Sequence, residues 1–338
     1  MSYILICFFF VLSVFSPLNS LRANNAYIVG EVDQQAVAWA IPLNNPYLGK
    51  KTLLLDPLIS TAEDIALSST TAYIVGRING DPDDPTIFYP SLWSVSLQDF
   101  TLAASPIQLT SYNSYGINSV AISSNTAYMD GTTQGGGAIL WTTPLSNLSN
   151  VTLAIGPLSE QYFSKIALST TNVYIIGDKD NAPTYATLWI SPLSNPSNVS
   201  APISLSNPDS HANSVALSTQ NIYVVGFDGL GNATLWIRSL SDPSSPGSTI
   251  TLDNSGSSRA TSVALSTQTI YVVGFDSLGN ATLWIRSLSD PSSPGSTITL
   301  DNSGNSFAYS IAISESESLT KALYRYINNI PLKGLRSP

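Results

Sequence analysis

Short apolar runs recur along this chain, each bounded by small polar residues, glycine or proline. Residues 213–256 show the pattern most plainly. Four β-prone runs, Ser214–Ser218, Ile222–Gly226, Ala233–Ile237 and Thr249–Leu252, are separated by links rich in Ser, Asn, Asp, Gly and Pro. Gly and Asn tolerate positive φ and Pro presets φ, so each link predicts a turn. No helical period runs through the unit, which predicts four short strands.

The unit returns at 261–304 with 41 of 44 positions identical, differing only at Asn213/Thr261, Asn221/Thr269 and Gly229/Ser277. Weaker copies fill the rest of the chain. A Tyr-x-x-Gly tyrosine stands at Tyr27, Tyr73, Tyr128, Tyr174, Tyr223 and Tyr271, and a tryptophan follows each one, at Trp39, Trp93, Trp141, Trp189, Trp236 and Trp284. A run like Ser-Val-Ala-Leu-Ser ends at Ser68, Ser123, Ser169, Ser218, Ser266 and Ser314, and all these elements recur at 46 to 55 residues.

Four strands per repeat at this period predict an all-β, six-bladed β-propeller of four-stranded antiparallel blades. It would span residues 24–314, with repeats near 24–68, 69–123, 124–169, 170–218, 219–266 and 267–314. A stacked solenoid is the competing reading, and the order of elements argues against it. The chain enters at a second strand, Ala26–Gly30, and supplies a spare first strand at Ser310–Ser314. That strand would complete the first blade and close the ring, removing exposed sheet edges. The first strands, with small residues such as Ala66, Ala121, Ala167 and Ala216, are expected innermost, and the tryptophans between blades.

Composition narrows the partners. Charged residues are 10% of the chain, against about 25% in ordinary globular domains, while 43% hydrophobic residues suffice for a large core. The net charge of −9 and the scatter of Lys and Arg exclude nucleic acid and strongly anionic membranes as partners. The chain is expected to be a monomer. Cys7 is the sole cysteine, so no disulfide framework forms. The apolar run Tyr3–Phe15 is short for a bilayer span and reads as the core of a signal peptide over residues 1–23. A secreted, periplasmic or cell-envelope location follows from that reading, and a buried or membrane-anchoring segment is the alternative. Residues 315–338 form a basic tail with a short helix, Leu319, Leu323, Tyr326, Ile327 and Ile330 falling on one face.

The run Ile222-Tyr223-Val224-Val225-Gly226-Phe227-Asp228-Gly229 is similar to kelch-type propeller repeats, with one glycine where kelch has two. The fuller resemblance is to bacterial secreted repeat proteins with successive Tyr-Val-x-Gly, Ala-x-Leu-Trp and Ser-Ile-Ala-like strands. Tyr223–Gly226, Ala233–Trp236 and Ser262–Ala264 fit that order. The resemblance implies a propeller in the cell envelope or outside the cell, and implies no single activity.

Propeller ligands meet the loops of one face, so the residues just before each first strand are the candidates. Four positions before the first-strand Val or Ile stand Thr61, Gly116, Tyr162, His211, Arg259 and Phe307. Two before it stand Glu63, Asn118, Ser164, Asn213, Thr261 and Tyr309. Tyr162, His211, Arg259, Phe307 and Tyr309 form a candidate binding rim, and free drift of loop residues is the bland alternative. Glu63, Asn118 and Asn213 could converge as oxygen ligands for calcium, which resembles the channel metal site of six-bladed lactonases. Zinc would need His or Cys ligands the chain lacks. His211 is the sole histidine, and no nucleophile-elbow Gly-x-Ser-x-Gly accompanies it, so no catalytic residue is assigned. Asp228 and Asp276 read as turn caps. Asn-x-Ser/Thr sequons stand at Asn147, Asn150, Asn198, Asn232 and Asn280. The functional expectation is a binding scaffold that recognises a protein or glycan through its loop face. A calcium-dependent hydrolase or lactonase and a structural surface protein are the alternatives.

Overall fold

The computed structural model describes residues 25–301, apart from short gaps at 33–34, 43–50, 57–58, 80–87, 102, 104, 110–113, 134–136, 159–160 and 180–182, together with Ala308 and Ile311. Twenty-three strands and no helix occupy these residues, and they form a six-bladed β-propeller. The first sheet has three strands, β1 (Asn25–Val32), β2 (Gln35–Pro42) and β3 (Lys51–Leu54). Five four-stranded sheets follow in strict meander order. Blade two holds β4 (Ser60–Leu67) to β7 (Ile107–Gln108), and blade three β8 (Ser114–Ser123) to β11 (Thr152–Leu158). Blade four holds β12 (Gln161–Leu168) to β15 (Ile203–Ser204), and blade five β16 (His211–Leu217) to β19 (Ser248–Asp253). Blade six holds β20 (Arg259–Leu265) to β23 (Ser296–Asp301). Two compact units result: Val29–Ala38 with Leu53–Ile313, which contains blades two to six, and Met1–Ile28 with Trp39–Thr52 and Ser314–Pro338. Among the described residues no helix is long and apolar enough to cross a membrane. The signal segment, the tail helix and all of the expected closing strand except Ile311 lie outside the described residues.

The core lies between blades rather than within them. Tyr174 and Ile176 of blade four pack with Val215, Val224 and Trp236 of blade five. Tyr223 and Val225 of blade five pack with Val263, Val272 and Trp284 of blade six. The Tyr-x-x-Gly strand of one blade thus meets the tryptophan of the next, which explains why the two elements recur in step. Trp93, Trp141, Trp189, Trp236 and Trp284 are at most 3% exposed. Truncating such a side chain typically costs about 3–5 kcal/mol. Ala66, Ala121, Ala167 and Ala216 pack against the inter-blade clusters from the first strands.

Every described first strand of blades two to six carries a β-bulge near its start. Register shifts fall between Ala62 and Asp64, Ile117 and Ser119, Phe163 and Lys165, Ala212 and Ser214, and Ala260 and Ser262. A bulge leaves one extra residue unpaired and re-aims side chains. The extra residues are Glu63, Asn118, Ser164, Asn213 and Thr261. The bulge also pushes the preceding carbonyl onto the second strand. A Cβ on Gly226 would overlap the carbonyl oxygen of His211, and one on Gly274 that of Arg259. The glycine of Tyr-x-x-Gly is required by this close approach.

Candidate functional site: inner strands and rim

First strands of consecutive blades lie side by side, β4 with β8, β8 with β12, β12 with β16 and β16 with β20. They are stitched together by two repeating side-chain bonds. At the bulge position, Asn118 Nδ2 donates to the Phe163 carbonyl at 2.7 Å and Asn213 Nδ2 to the Ala260 carbonyl at 2.8 Å. Thr261 Oγ1 bonds the Ala308 carbonyl in the same way. One residue later, Ser119 Oγ accepts from Ile166 N, Ser214 Oγ from Val263 N and Ser262 Oγ from Ile311 N, at 3.2–3.3 Å.

These bonds place the three expected metal ligands. Asn118 and Asn213 each engage the next blade through their amide nitrogen, and exposed Glu63 accepts from Thr61 Oγ1 at 2.9 Å. The positions share a bulge, and the two asparagines serve as blade-to-blade clips. Among the described residues no group of three or more His, Cys, Asp or Glu side chains could hold a metal ion.

Blades two and four break the serine pattern. In blade two Asp64 stands in the serine's place and its Oδ2 accepts from Val120 N at 2.9 Å. In blade four Lys165 stands there, and its Nζ meets Asp64 Oδ1 at 2.7 Å. Between them, in blade three, Asp130 lies directly across from Ser119 in the sheet register. It occupies the position filled by Val75, Ile176, Val225 and Val273 in the other described blades. Asp130 is 0% exposed and neither of its carboxylate oxygens makes a hydrogen bond. Burial, with Asp64 adding to it, pushes its pKa from 3.8 up to about 8, against the opposing pull of Lys165, its own backbone and the nearby Asn118 amide. Burial therefore favours the protonated form of Asp130 near neutral pH. Its signal was present in the sequence as the one charged residue inside a Tyr-x-x-Gly unit, Tyr128-Met129-Asp130-Gly131.

At the rim, first-strand residues pair with the residues that follow the Tyr-x-x-Gly glycines: Tyr162 with Asp178, His211 with Phe227 and Arg259 with Phe275. The contacts then run from blade to blade. Asp178 Oδ2 holds His211 Nδ1 at 2.7 Å and its Oδ1 accepts from Ala212 N at 3.1 Å. The His211 ring stacks on Phe227 at 4.6 Å between centroids and 27° between planes. The Arg259 guanidinium carbon lies 4.4 Å from the centroid of the same Phe227 ring. His211 and Arg259, both expected at the rim, are thus brought together by Phe227, the last residue of β17, which the sequence did not single out. Tyr162 is exposed on β12 next to Asp178 in register. Phe307 and Tyr309 lie outside the described residues. The carboxylate that orients His211 resembles half of a catalytic triad. Among the described residues no hydroxyl hydrogen-bonds to the ring.

The turn caps are as expected. Asp228 accepts from Leu230 N and Asn232 N through Oδ1 and from Asn232 Nδ2 through Oδ2, and Asp276 repeats the arrangement with Leu278 and Asn280. Asn232 and Asn280 are buried by these bonds, whereas Asn147, Asn150 and Asn198 are exposed.

No protein-family model and no curated protein matches the sequence. Solved structures do match its fold. A prolyl endopeptidase is similar over 81% of this chain and 42% of its own, with a TM-score of 0.55 and 10% identity. A puromycin hydrolase is similar over 82% of this chain and 42% of its own, with a TM-score of 0.53 and 14% identity. A puromycin-hydrolysing peptidase of Mycobacterium tuberculosis is similar over 82% and 45%, with a TM-score of 0.50 and 12% identity. At these identities the likeness is one of fold, and this chain spans less than half of each of those proteins. The neighbours nonetheless correct the expectation of a binding scaffold that recognises proteins or glycans through its loop face. The architecture shared here is one that hydrolases carry as part of longer chains.

Proposed function

We propose that this chain serves as the propeller domain of a hydrolase acting on peptides or aminoacyl amides. The structural likeness to peptide- and puromycin-hydrolysing enzymes over four-fifths of the chain carries this reading. Within it, the cross-blade rim of Asp178, His211, Phe227 and Arg259 meets the substrate, and bond cleavage is the work of groups beyond the described residues. The apolar run Tyr3–Phe15 supports export of the protein.

The test uses the full chain with short N-terminally labelled peptides. Binding is read by fluorescence anisotropy and cleavage by chromatography of the same samples. Saturable binding, with or without cleavage, is the expected result. Peptides that neither bind nor are cleaved, across apolar, prolyl, acidic and basic sequences, would overturn the proposal.

A further inference from the structure

We propose that Arg259 is a carboxylate-recognition group, positioned on the rim to take the free carboxyl terminus of a peptide; this rests on the peptide-hydrolase reading above.

The chemistry begins with Arg259 itself. It is exposed at the start of β20, and among the described residues no carboxylate lies within ion-pair distance of it. Its guanidinium carbon sits 4.4 Å from the centroid of the Phe227 ring, a cation–π contact that holds it at the rim. Stacking on an aromatic ring satisfies the flat face of a guanidinium and leaves the N–H edges directed outward. Those edges match a carboxylate with two parallel hydrogen bonds.

The support beneath Arg259 is built in turn. Phe227 is held from the other side of the relay by His211, stacked at 4.6 Å, and His211 is held by Asp178 at 2.7 Å. Three consecutive blades therefore contribute to fixing one guanidinium. The relay also leaves His211 Nε2 without a hydrogen bond among the described residues, a second polar point beside the arginine. The other rim arginine makes the contrast. Arg77 lies over Phe88 at 4.8 Å, but its Nε already donates to Thr61 Oγ1 at 3.2 Å. The preceding blade carries His211 where Arg259 stands, ahead of a 44-residue stretch identical at 41 positions, so the arginine is a local difference and not a demand of the fold.

The experiment compares the labelled tripeptide Ala-Ala-Ala as the free acid and as the C-terminal amide, titrated into the full chain. The free acid is expected to bind about tenfold more tightly, the effect of a charge-assisted bidentate contact. Arg259→Gln should remove that preference by weakening the free acid more than the amide, Arg259→Lys should keep only part of it, and Arg77→Gln should keep it all. Equal binding of acid and amide by the wild-type chain, or a preference that survives Arg259→Gln, overturns the inference while leaving the proposed hydrolase domain standing. Competition by acetate as strong as that by the free-acid tripeptide overturns the assignment to a peptide terminus. Failure of both tripeptides to bind, with cleavage absent as well, removes the inference together with the reading it rests on.

Discussion

Asp64 and Lys165 meet at 2.7 Å although a whole blade separates their strands in the chain. Such a bond can form only where first strands converge, since the outer strands of blades two and four are held apart by blade three. Asp64 replaces the serine that clips neighbouring blades elsewhere and keeps its function, accepting from Val120 N. Its second oxygen is then free for Lys165, which stands at the same repeat position two blades later.

The pair is partly exposed, with side chains at 31% for Lys165 and 13% for Asp64, so its net contribution is modest. Lys165→Ser should nevertheless destabilise the chain, because it leaves the Asp64 carboxylate without its cation. The double variant Asp64→Ser with Lys165→Ser restores the serine pattern and should recover part of the loss. A double-mutant cycle by chemical denaturation is expected to give a coupling of about 1 kcal/mol. Additive single effects would show that the pair is not coupled.

Asp130 yields a prediction of the opposite sign. A buried carboxyl with no hydrogen bond costs stability, and the equivalent positions in blades two, four, five and six are Val75, Ile176, Val225 and Val273. Asp130→Val should therefore raise the melting temperature by several degrees, roughly the 1–3 kcal/mol of an unsatisfied buried polar group. Asp130→Asn should gain less, because a buried amide also needs partners. A lower melting temperature for Asp130→Val would mean that the acid makes contacts essential to the fold.

The same residue sets a pH dependence. Its pKa is about 8 in the folded chain against 3.8 unfolded. Between those values the native state holds a proton that the unfolded chain has released, so unfolding releases a proton and stability falls as pH rises. The contribution is fully present below pH 3.8 and lost by the time the pH has passed about 8. Melting curves at pH 5, 7 and 9 should fall more steeply for the wild type than for Asp130→Asn. Asp64→Ser should move the window to lower pH, since the Asp64 charge is one of the causes that raise the Asp130 pKa. Parallel curves for wild type and Asp130→Asn would remove Asp130 as the source.

The blades were legible because the repeat carries its own register: turn residues, Tyr-x-x-Gly and Trp recur in step, and inter-blade packing gives each a reason. The bulges were not. No residue type marks a bulge, and one extra residue turns the next side chain to the other face. At the bulge Asn118 and Asn213 reach sideways through their amide nitrogens to the carbonyls of Phe163 and Ala260, a blade-to-blade role that their shared repeat position does not announce. Phe227 was hidden for a related reason. It lies just past the predicted strand Ile222–Gly226, and nothing in its residue type marks the point where the chain emerges at the rim beside His211 and Arg259.

Two glycines in one repeat should answer differently to substitution, for reasons the duplication itself supplies. Gly226 recurs as Gly274 because a bulged carbonyl, from His211 or Arg259, fills the space of a Cβ in both blades. Gly226→Ala must push one strand of an inner pair off the other, and should lower the melting temperature severely or prevent folding. Gly229 differs, since its counterpart in the next repeat is Ser277. A Cβ at Gly229 would overlap the carbonyl oxygen of Pro208, which belongs to the link entering blade five. The corresponding link into blade six has Gly256 in the place of Pro208, and the hairpin of that blade carries a side chain, Ser277, in the place of Gly229. Gly229→Ser should therefore destabilise the chain, while Ser277→Gly should change its melting temperature little. Equal effects of these two substitutions would show that the link before each blade does not control which residue its hairpin turn accepts.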